Sequence, residues 1–356
     1  MAARDTCAYD KLFTKSVPHI HEKIFFFLDY ESFKNCKVVC KEWNDFLTSE
    51  PFQNKAQSVY FYKIKQEKYK LITYKTEIVA NERKLFDCIK KGNAGEVNSL
   101  LSIGVDPKCE RRQKGAYLGV LDMYRNPQAY TTLLLATEKG DTDLVKLLLD
   151  AGADPNSTPL YWASLSGPTP LHWASKNGEE DVVRLLLNAG AEPDRADTNG
   201  ITSLSWATGF GFINLVKLLL EAGANPNLAD NGGRTPLYLA AINDHKDVAK
   251  LLLEAGADPN VADNDGGTPL YWAGRGRHEE VVRLLLDAGA NPNIADTSGK
   301  TPLYWVALNG LINLVKVLLE AGADPKKADD LGKTPLYFAD RFGHKDVARL
   351  LLEYNK

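Results

Sequence analysis

A 33-residue internal repeat constrains the fold of this chain more than any other feature. A Thr-Pro-Leu tripeptide or a near variant recurs six times at that interval. The copies begin at Thr169, Thr202, Thr235, Thr268, Thr301 and Thr334. A looser copy begins at Thr131, and a degenerate one lies within 82–107. Periodicity of this length is typical of a solenoid, in which each copy buries its apolar side only against its neighbours.

Each copy predicts two short helices and a turn-rich hairpin. The Thr offers an N-cap oxygen to the first helix, and the following Pro fits the first helical position because its missing N–H costs nothing there. Nine residues after the Thr, a Gly ends this helix in four of the six copies. Asp244 and Arg277 occupy that position in the other two copies, so we expect those two turns to close differently. A second helix with a Val-x-x-Leu-Leu-Leu face follows and stops at another Gly.

This unit resembles the ankyrin repeat, because TPL(H/Y)xA or a variant such as TSLSWA opens each of the six copies. The resemblance covers 82–356 and implies an all-α solenoid of helix pairs with hairpin fingers and a concave face. It counts one degenerate and seven clear repeats. At His172 it implies a structural hydrogen bond. It also implies that the array binds another protein through its fingertips and the exposed side of its first helices.

Two fingers are longer than the others, at 108–130 and 156–168. Long loops in a compact array are either functional or disordered, and apolar side chains in the first loop argue against simple disorder. Its candidate target-binding residues are Tyr117, Leu121 and Tyr124. This loop is interpreted either as a binding loop or as a loop that folds back on the stack.

An aromatic stripe follows the repeat at the fourth residue after the Thr. It comprises Trp173, Trp206, Trp272, Trp305 and Phe338, with Leu239 as the exception, and a Tyr precedes four of these positions. Aromatic anchors are enriched at interface hot spots, which makes the four tryptophans candidates for target binding. The alternative is that the rings pack between adjacent first helices, and ankyrin repeats often carry a large residue here.

Residues 1–80 do not repeat, and their informative part resembles an F-box. The matching segments are Val17-Pro18, Ile24-Phe25-x-x-Leu28 and Val39-Cys40-Lys41-Glu42-Trp43. Val17 replaces the usual Leu, the gap from Pro18 to Ile24 is one residue short, and Gln53 stands where Trp is common. The predicted organisation is a tail at 1–16, an F-box-like helical module at 17–53, a linker element at 54–81 and the array at 82–356.

The F-box resemblance implies docking on the Skp-family linker subunit of a cullin-RING ubiquitin ligase. Carried over position by position, the docking residues are Pro18, Ile24, Phe25, Leu28, Val39, Cys40 and Trp43. The alternative is a generic helical cap that shields the first repeat. A cap explains apolar helices but does not require Pro, Ile-Phe and Val-Cys-Lys-x-Trp in this order.

Composition excludes several other classes. A formal net charge of −3 argues against bulk binding to nucleic acid or an anionic membrane. All five cysteines precede residue 110 without metal-ligand spacing, which favours reduced thiols in an intracellular protein and predicts no metal. No apolar run reaches the roughly 18 residues of a membrane span, and the N-terminus is not a secretory signal, so we expect the cytosol or nucleus. Phosphate-loop, HExxH, GxSxG and kinase motifs are missing from the sequence, so neither an enzyme nor a cofactor is predicted.

The resulting hypothesis is a substrate receptor of an SCF-type ubiquitin ligase, in which the F-box binds the linker subunit and the array binds an unidentified target protein. The alternative is an ankyrin-repeat scaffold or inhibitor with no ligase link, whose N-terminal helices act as a cap. An enzyme hidden in 1–130 is a third, weaker hypothesis, since no catalytic constellation is found there.

Overall fold

The computed structural model describes residues 77–111, 130–158 and 167–355. Within these ranges the chain forms sixteen α-helices and one pair of two-residue strands. This confirms the all-α class that the sequence predicts. No helix in the described ranges is both long and apolar enough to cross a membrane. The F-box-like module, most of the linker element and most of the two long fingers lie outside the described residues.

The helices form consecutive pairs. The first helices are α1 (77–91), α3 (Thr132–Glu138), α5 (Pro170–Asn177), α7 (Ser203–Gly209), α9 (Pro236–Ile242), α11 (Pro269–Gly276), α13 (Pro302–Leu308) and α15 (Pro335–Arg341). The second helices are α2 (Ala94–Ser102), α4 (Thr142–Asp150), α6 (Glu180–Asn188), α8 (Ile213–Glu221), α10 (Lys246–Glu254), α12 (Glu279–Asp287), α14 (Ile312–Glu320) and α16 (Lys345–Tyr354). Residues 77–81 of the predicted linker element are therefore part of α1. Strands β1 (Glu110–Arg111) and β2 (Tyr130–Thr131) pair antiparallel at the two ends of the first long finger.

The repeat Thr caps the first helix as the sequence predicts. In six copies its hydroxyl accepts a hydrogen bond from the backbone N–H three residues later, as at Thr268 and Tyr271 (3.2 Å). At Thr169 the imidazole of His172 also takes part: its Nδ1 accepts from the Thr169 N–H (3.1 Å), and its Nε2 donates to the Ile201 carbonyl (3.0 Å). The structural hydrogen bond expected of His172 is confirmed.

The turn between the two helices of a pair has the same backbone conformation in every regular copy. Gly178 and its counterparts have φ near +70°, and Asp244 and Arg277 adopt this left-handed conformation with φ of 60° and 67°. The expectation that these two turns close differently is wrong. The geometry of the stack determines the turn, and two residues with a Cβ adopt a conformation that costs such residues about 1 kcal/mol.

The core continues from one repeat to the next without interruption. Two positions of each first helix are fully buried in the central copies, as at Leu270 and Ala273. They are the Leu after the repeat Pro and the small or branched residue three positions later. Val and Leu side chains of the second helices meet them from the other side, as at Val281 and Leu285. Because no helix pair covers its own apolar side, this core exists only through stacking.

The fingers are connected by asparagine side chains that reach the next repeat. The Asn260 amide donates to the Gly289 carbonyl (3.3 Å), and its oxygen accepts from the Asn291 N–H (2.7 Å). Asn227 and Asn293 make the same pair of bonds one repeat before and one repeat after. Neighbouring first helices pack against each other more extensively than neighbouring second helices do.

Candidate partner-binding face

The four predicted tryptophans lie on the exposed side of the first helices, which we call the first-helix face. Trp173, Trp206, Trp272 and Trp305 lie on α5, α7, α11 and α13, and each is half-buried. Their shared position follows from the repeat, because a residue at a fixed place in each copy lies at the same height on every first helix. The loop candidates Tyr117, Leu121 and Tyr124 lie outside the described residues, as do Pro18, Ile24, Phe25, Leu28, Val39, Cys40 and Trp43.

Buried tyrosines support the aromatic rings on this face. Tyr271 is 3% exposed, and its ring lies edge-on to those of Trp272 (5.3 Å between centroids) and Trp305 (6.1 Å). The Tyr304 ring is similarly placed between Trp305 and Phe338. Edge-to-face contacts of this kind are favourable beyond the area that they bury. Tyr271 and Tyr304 thus each contact a ring of their own repeat and a ring of the next.

Hydrogen bonds fix the polar ends of Trp272 and Tyr271 to the fingers. The Trp272 indole N–H donates to Asp263 Oδ2 (2.8 Å), and the Tyr271 hydroxyl donates to Asp296 Oδ2 (2.7 Å). Burial raises the pKa of the Tyr238 hydroxyl to about 12 and that of Tyr271 further still, so both remain neutral and Tyr271 remains a donor. Trp272, Tyr271 and the fingers of Asp263 and Asp296 therefore form one hydrogen-bonded unit, whereas the buried indole nitrogens of Trp173 and Trp305 have no hydrogen-bond partner in the described part of the chain.

Cations lie over the tryptophan rings at two places on the face. Lys176 Nζ is 5.3 Å from the Trp173 centroid and 5.0 Å from that of Trp206, and we call these three residues the Lys176 cluster. The Arg275 guanidinium carbon is 4.9 Å from the Trp272 centroid and 4.6 Å from that of Trp305, and these three form the Arg275 cluster. In both clusters the cation lies one helical turn after its own Trp and reaches the Trp of the next repeat.

Two lysines at the finger bases extend the basic character of the face. Lys300 Nζ lies 5.6 Å from the Tyr304 centroid, and Lys333 Nζ lies 4.2 Å from that of Tyr337. In the described part of the chain, neither these lysines nor Lys176 and Arg275 form an ion pair with a carboxylate. The sequence-based reasoning missed these cations, although the spacings Trp-x-x-Lys and Trp-x-x-Arg, one turn apart on a helix, were a usable signal.

The nearby carboxylates are already satisfied by local donors. Asp230 is 9% exposed, and its Oδ2 binds the Arg234 guanidinium at 2.6–2.7 Å. Asp263 and Asp329 are equally buried, and the Oδ1 of each accepts two backbone N–H bonds of its own finger. These acids face inward and stabilise the fingers. The cations over the rings are more accessible, since Lys176 and Arg275 are exposed, and the finger residues Asp265 and Asp330 are exposed as well.

The two clusters are separated by an apolar stretch. The helix between them, α9, presents Leu239 and Ile242, both half-buried, where other copies carry Trp and a cation. On the neighbouring α7 the C-cap residue Phe210 is 50% exposed and stacks on Trp206 (6.1 Å) and Phe212 (5.7 Å). Apolar and aromatic groups held rigidly on a helical scaffold are suited to binding another chain.

Groups that could carry chemistry are few in the described ranges. No cluster of three His, Cys, Asp or Glu residues there could hold a metal ion. Cys88 and Cys109 are buried, and burial raises the pKa of the Cys109 thiol to about 12, so neither is an activated nucleophile.

Comparison with known families agrees with the fold. A model described as ankyrin repeats (3 copies) matches residues 85–197, 133–230, 171–263, 204–296 and 289–356, and the chain belongs to the ankyrin-repeat family. A model of the F-box domain matches residues 17–55. The protein is therefore an F-box/ankyrin-repeat protein, and both resemblances are confirmed. No curated protein matches the chain significantly. F-box and ankyrin domains are typical of non-catalytic adaptors: the first binds Skp-type subunits, and the second binds proteins.

Proposed function

We propose that this protein is the substrate-recognition subunit of an SCF-type cullin-RING ubiquitin ligase. The observation that carries the proposal is the presence in one chain of an F-box match at 17–55 and an ankyrin array over 85–356. The F-box binds the Skp-family linker subunit through Pro18, Ile24, Phe25, Leu28, Val39, Cys40 and Trp43. The array binds a target protein, and the role places the protein in the cytosol or nucleus.

The mechanism is tethering without bond chemistry by this chain. A target held on the array and a ligase held on the F-box become parts of one assembly, so transfer to a target lysine becomes effectively intramolecular. A rigid receptor restricts which lysines come within reach. The continuous core and the asparagine bonds between fingers give the array that rigidity.

The first-helix face supports the target-binding half of the proposal. Several of its rings are fixed by neighbouring rings, and Trp272 is held both by the Tyr271 ring and by the Asp263 carboxylate. Binding therefore costs little side-chain ordering, and more of the contact energy becomes affinity. We propose Trp173, Trp206, Trp272 and Trp305 as contacts on this face, and Tyr117, Leu121 and Tyr124 as contacts from the long finger.

The test is a pull-down of the purified full chain with a Skp-family linker subunit, using wild type beside Trp43→Ala. We expect wild type to bind and Trp43→Ala to lose binding while its thermal unfolding remains that of wild type. Trp272→Ala is the matched control, since it removes the same side chain from the array and leaves linker binding intact. Folded wild type that does not bind the subunit would favour the alternative, an ankyrin scaffold with an N-terminal cap.

A further inference from the structure

The Lys176 cluster and the Arg275 cluster are two copies of one arrangement. In each, a cation on one first helix lies between its own tryptophan and the tryptophan of the next repeat, at 4.6–5.3 Å from both centroids. The rings restrict where each cation can move while its outer side stays exposed. A cation positioned in this way loses less freedom when it binds an anion than a free surface lysine does.

The face lacks the counter-ions that its cations would need. Lys176, Arg275, Lys300 and Lys333 form no ion pair within the described ranges. Several cations on the second helices differ, because they are paired with a carboxylate of the same helix. Arg283 binds Glu279 (2.7 Å), and Lys250 lies 3.9 Å from Glu254. Charge complementarity therefore points to an anionic partner at the first-helix face.

The same geometry disfavours a cationic partner. A lysine or a methylated amine would bind the faces of aromatic rings. Here Lys176 already lies over the faces of Trp173 and Trp206, and Arg275 over those of Trp272 and Trp305. An incoming cation would have to displace them against like-charge repulsion.

The spacing of the clusters indicates the form of the partner. Lys176 and Arg275 are 99 residues apart, which is three repeats. With about 9 Å between neighbouring packed helices, they are about 27 Å apart. An extended peptide covers that distance with about eight residues. Between the clusters lie Leu239, Ile242 and the half-exposed Phe210, which match apolar side chains.

We propose that the first-helix face binds an extended peptide segment with two acidic groups about eight residues apart and apolar residues between them. This rests on the proposed target-binding role of the array and specifies its partner. Peptide is favoured over nucleic acid because residues 81–356 carry 30 Lys+Arg against 36 Asp+Glu, whereas phosphate backbones need a clear basic excess. The apolar stretch between the clusters also offers no favourable contact to a charged phosphate group.

The probe is a set of synthetic peptides with two Glu-Glu pairs separated by about four, about eight or about twelve residues around a Leu-containing centre. Binding to the full chain is followed by tryptophan fluorescence and by calorimetry at low and high salt. We expect the spacing of about eight residues to bind tightest and all binding to weaken in high salt, since exposed charges are screened. Replacing each Glu by Gln removes the carboxylates and should reduce affinity at least about tenfold.

Charge reversal on the protein supplies the matched comparison. The double variant Lys176→Glu/Arg275→Glu should lose binding, and Lys176→Gln/Arg275→Gln should weaken it with less risk to the fold. The double variant Lys250→Glu/Arg283→Glu makes the same charge change on the second helices and should bind like wild type. Thermal unfolding of each variant identifies any that fails to fold.

Four results would overturn the proposal. They are the absence of saturable binding by every acidic peptide, equal binding of the Gln peptides, equal loss in the second-helix control, and displacement of the peptide by a single-stranded oligonucleotide at lower concentration. Failure of this acidic-peptide inference is distinguishable from failure of the proposed ligase role. If linker binding depends on Trp43 while no acidic peptide binds, only the partner class is wrong. If acidic peptides bind while the linker subunit does not, the ligase role is wrong and this inference stands.

Discussion

Asp263 connects a finger to the first-helix face. Its removal should cost more stability than removal of Asp329, the equivalent residue two repeats later. Asp263 and Asp329 are each 9% exposed, and the Oδ1 of each accepts two backbone N–H bonds at 2.8–3.0 Å. Only Asp263 also accepts the indole N–H of Trp272, at 2.8 Å. Asp329→Ala is therefore a matched control that loses the shared bonds and no indole bond.

The expected difference follows from that one bond. A hydrogen bond to a charged acceptor contributes about 1.5–3 kcal/mol, and the half-buried position of Trp272 favours the lower end of the range. We therefore expect Asp263→Ala to reduce the free energy of unfolding by about 1.5 kcal/mol more than Asp329→Ala does. The measurement is urea unfolding of both variants and wild type, followed by far-ultraviolet circular dichroism.

A double-mutant cycle separates the bond from the different positions of the two aspartates in the array. Trp272→Phe keeps an aromatic ring and removes the indole donor, so its effect should overlap with that of Asp263→Ala. We expect a coupling energy of about 1.5 kcal/mol between the two substitutions. A coupling below about 0.5 kcal/mol would refute the claim that Asp263 holds Trp272 in place.

Three further predictions concern the turns, the buried histidine and the core. Arg277→Gly should raise the free energy of unfolding by about 1 kcal/mol in urea titrations, and Asp244→Gly by less, because Asp tolerates the left-handed conformation better than Arg. Burial lowers the pKa of His172, so unfolding becomes easier as pH falls below about 6.5, and His172→Gln should flatten that dependence in urea midpoints. Leu270→Ala should cost about 2–5 kcal/mol in thermal or urea unfolding, against less than about 0.5 for the exposed Leu331→Ala.

Much of the array was predictable because the residues that begin and end each helix locally also fit the stacking of the repeats. The Thr cap, the Pro at the first helical position and the Gly at most helix ends act within a few residues, so the sequence shows them directly. The repeat then supplies the long-range order, since side chains that pack between two neighbouring repeats pack in the same way between later neighbours. The domain boundaries, the docking residues of the F-box and the contacts of the long finger remain predictions, because they fall on residues outside the described ranges or on contacts with other chains.

The two atypical turns show where reasoning by residue type fails. Asp244 and Arg277 differ from glycine in intrinsic preference, which suggested a different turn. The stack on both sides already fixes the entry of the second helix, and a cost of about 1 kcal/mol at one residue is small beside the burial of a helix pair. Each side chain also gains a contact: Asp244 Oδ2 lies 3.5 Å from His278 Nδ1, and the Arg277 guanidinium donates to Asn309 Oδ1 at 2.9 Å.

The cation positions lie at the limit of what the sequence can predict. Helical spacing alone places Lys176 and Arg275 beside Trp173 and Trp272. It does not show that the tryptophan of the following repeat covers the other side of each cation, because that contact spans about 30 residues and depends on how closely first helices pack. The stripe is compatible with packing or with an interface, and the structure shows the packing, while the interface remains a prediction. The inner side of each ring packs on buried tyrosines, while its outer side positions a cation that has no carboxylate partner in the described part of the chain.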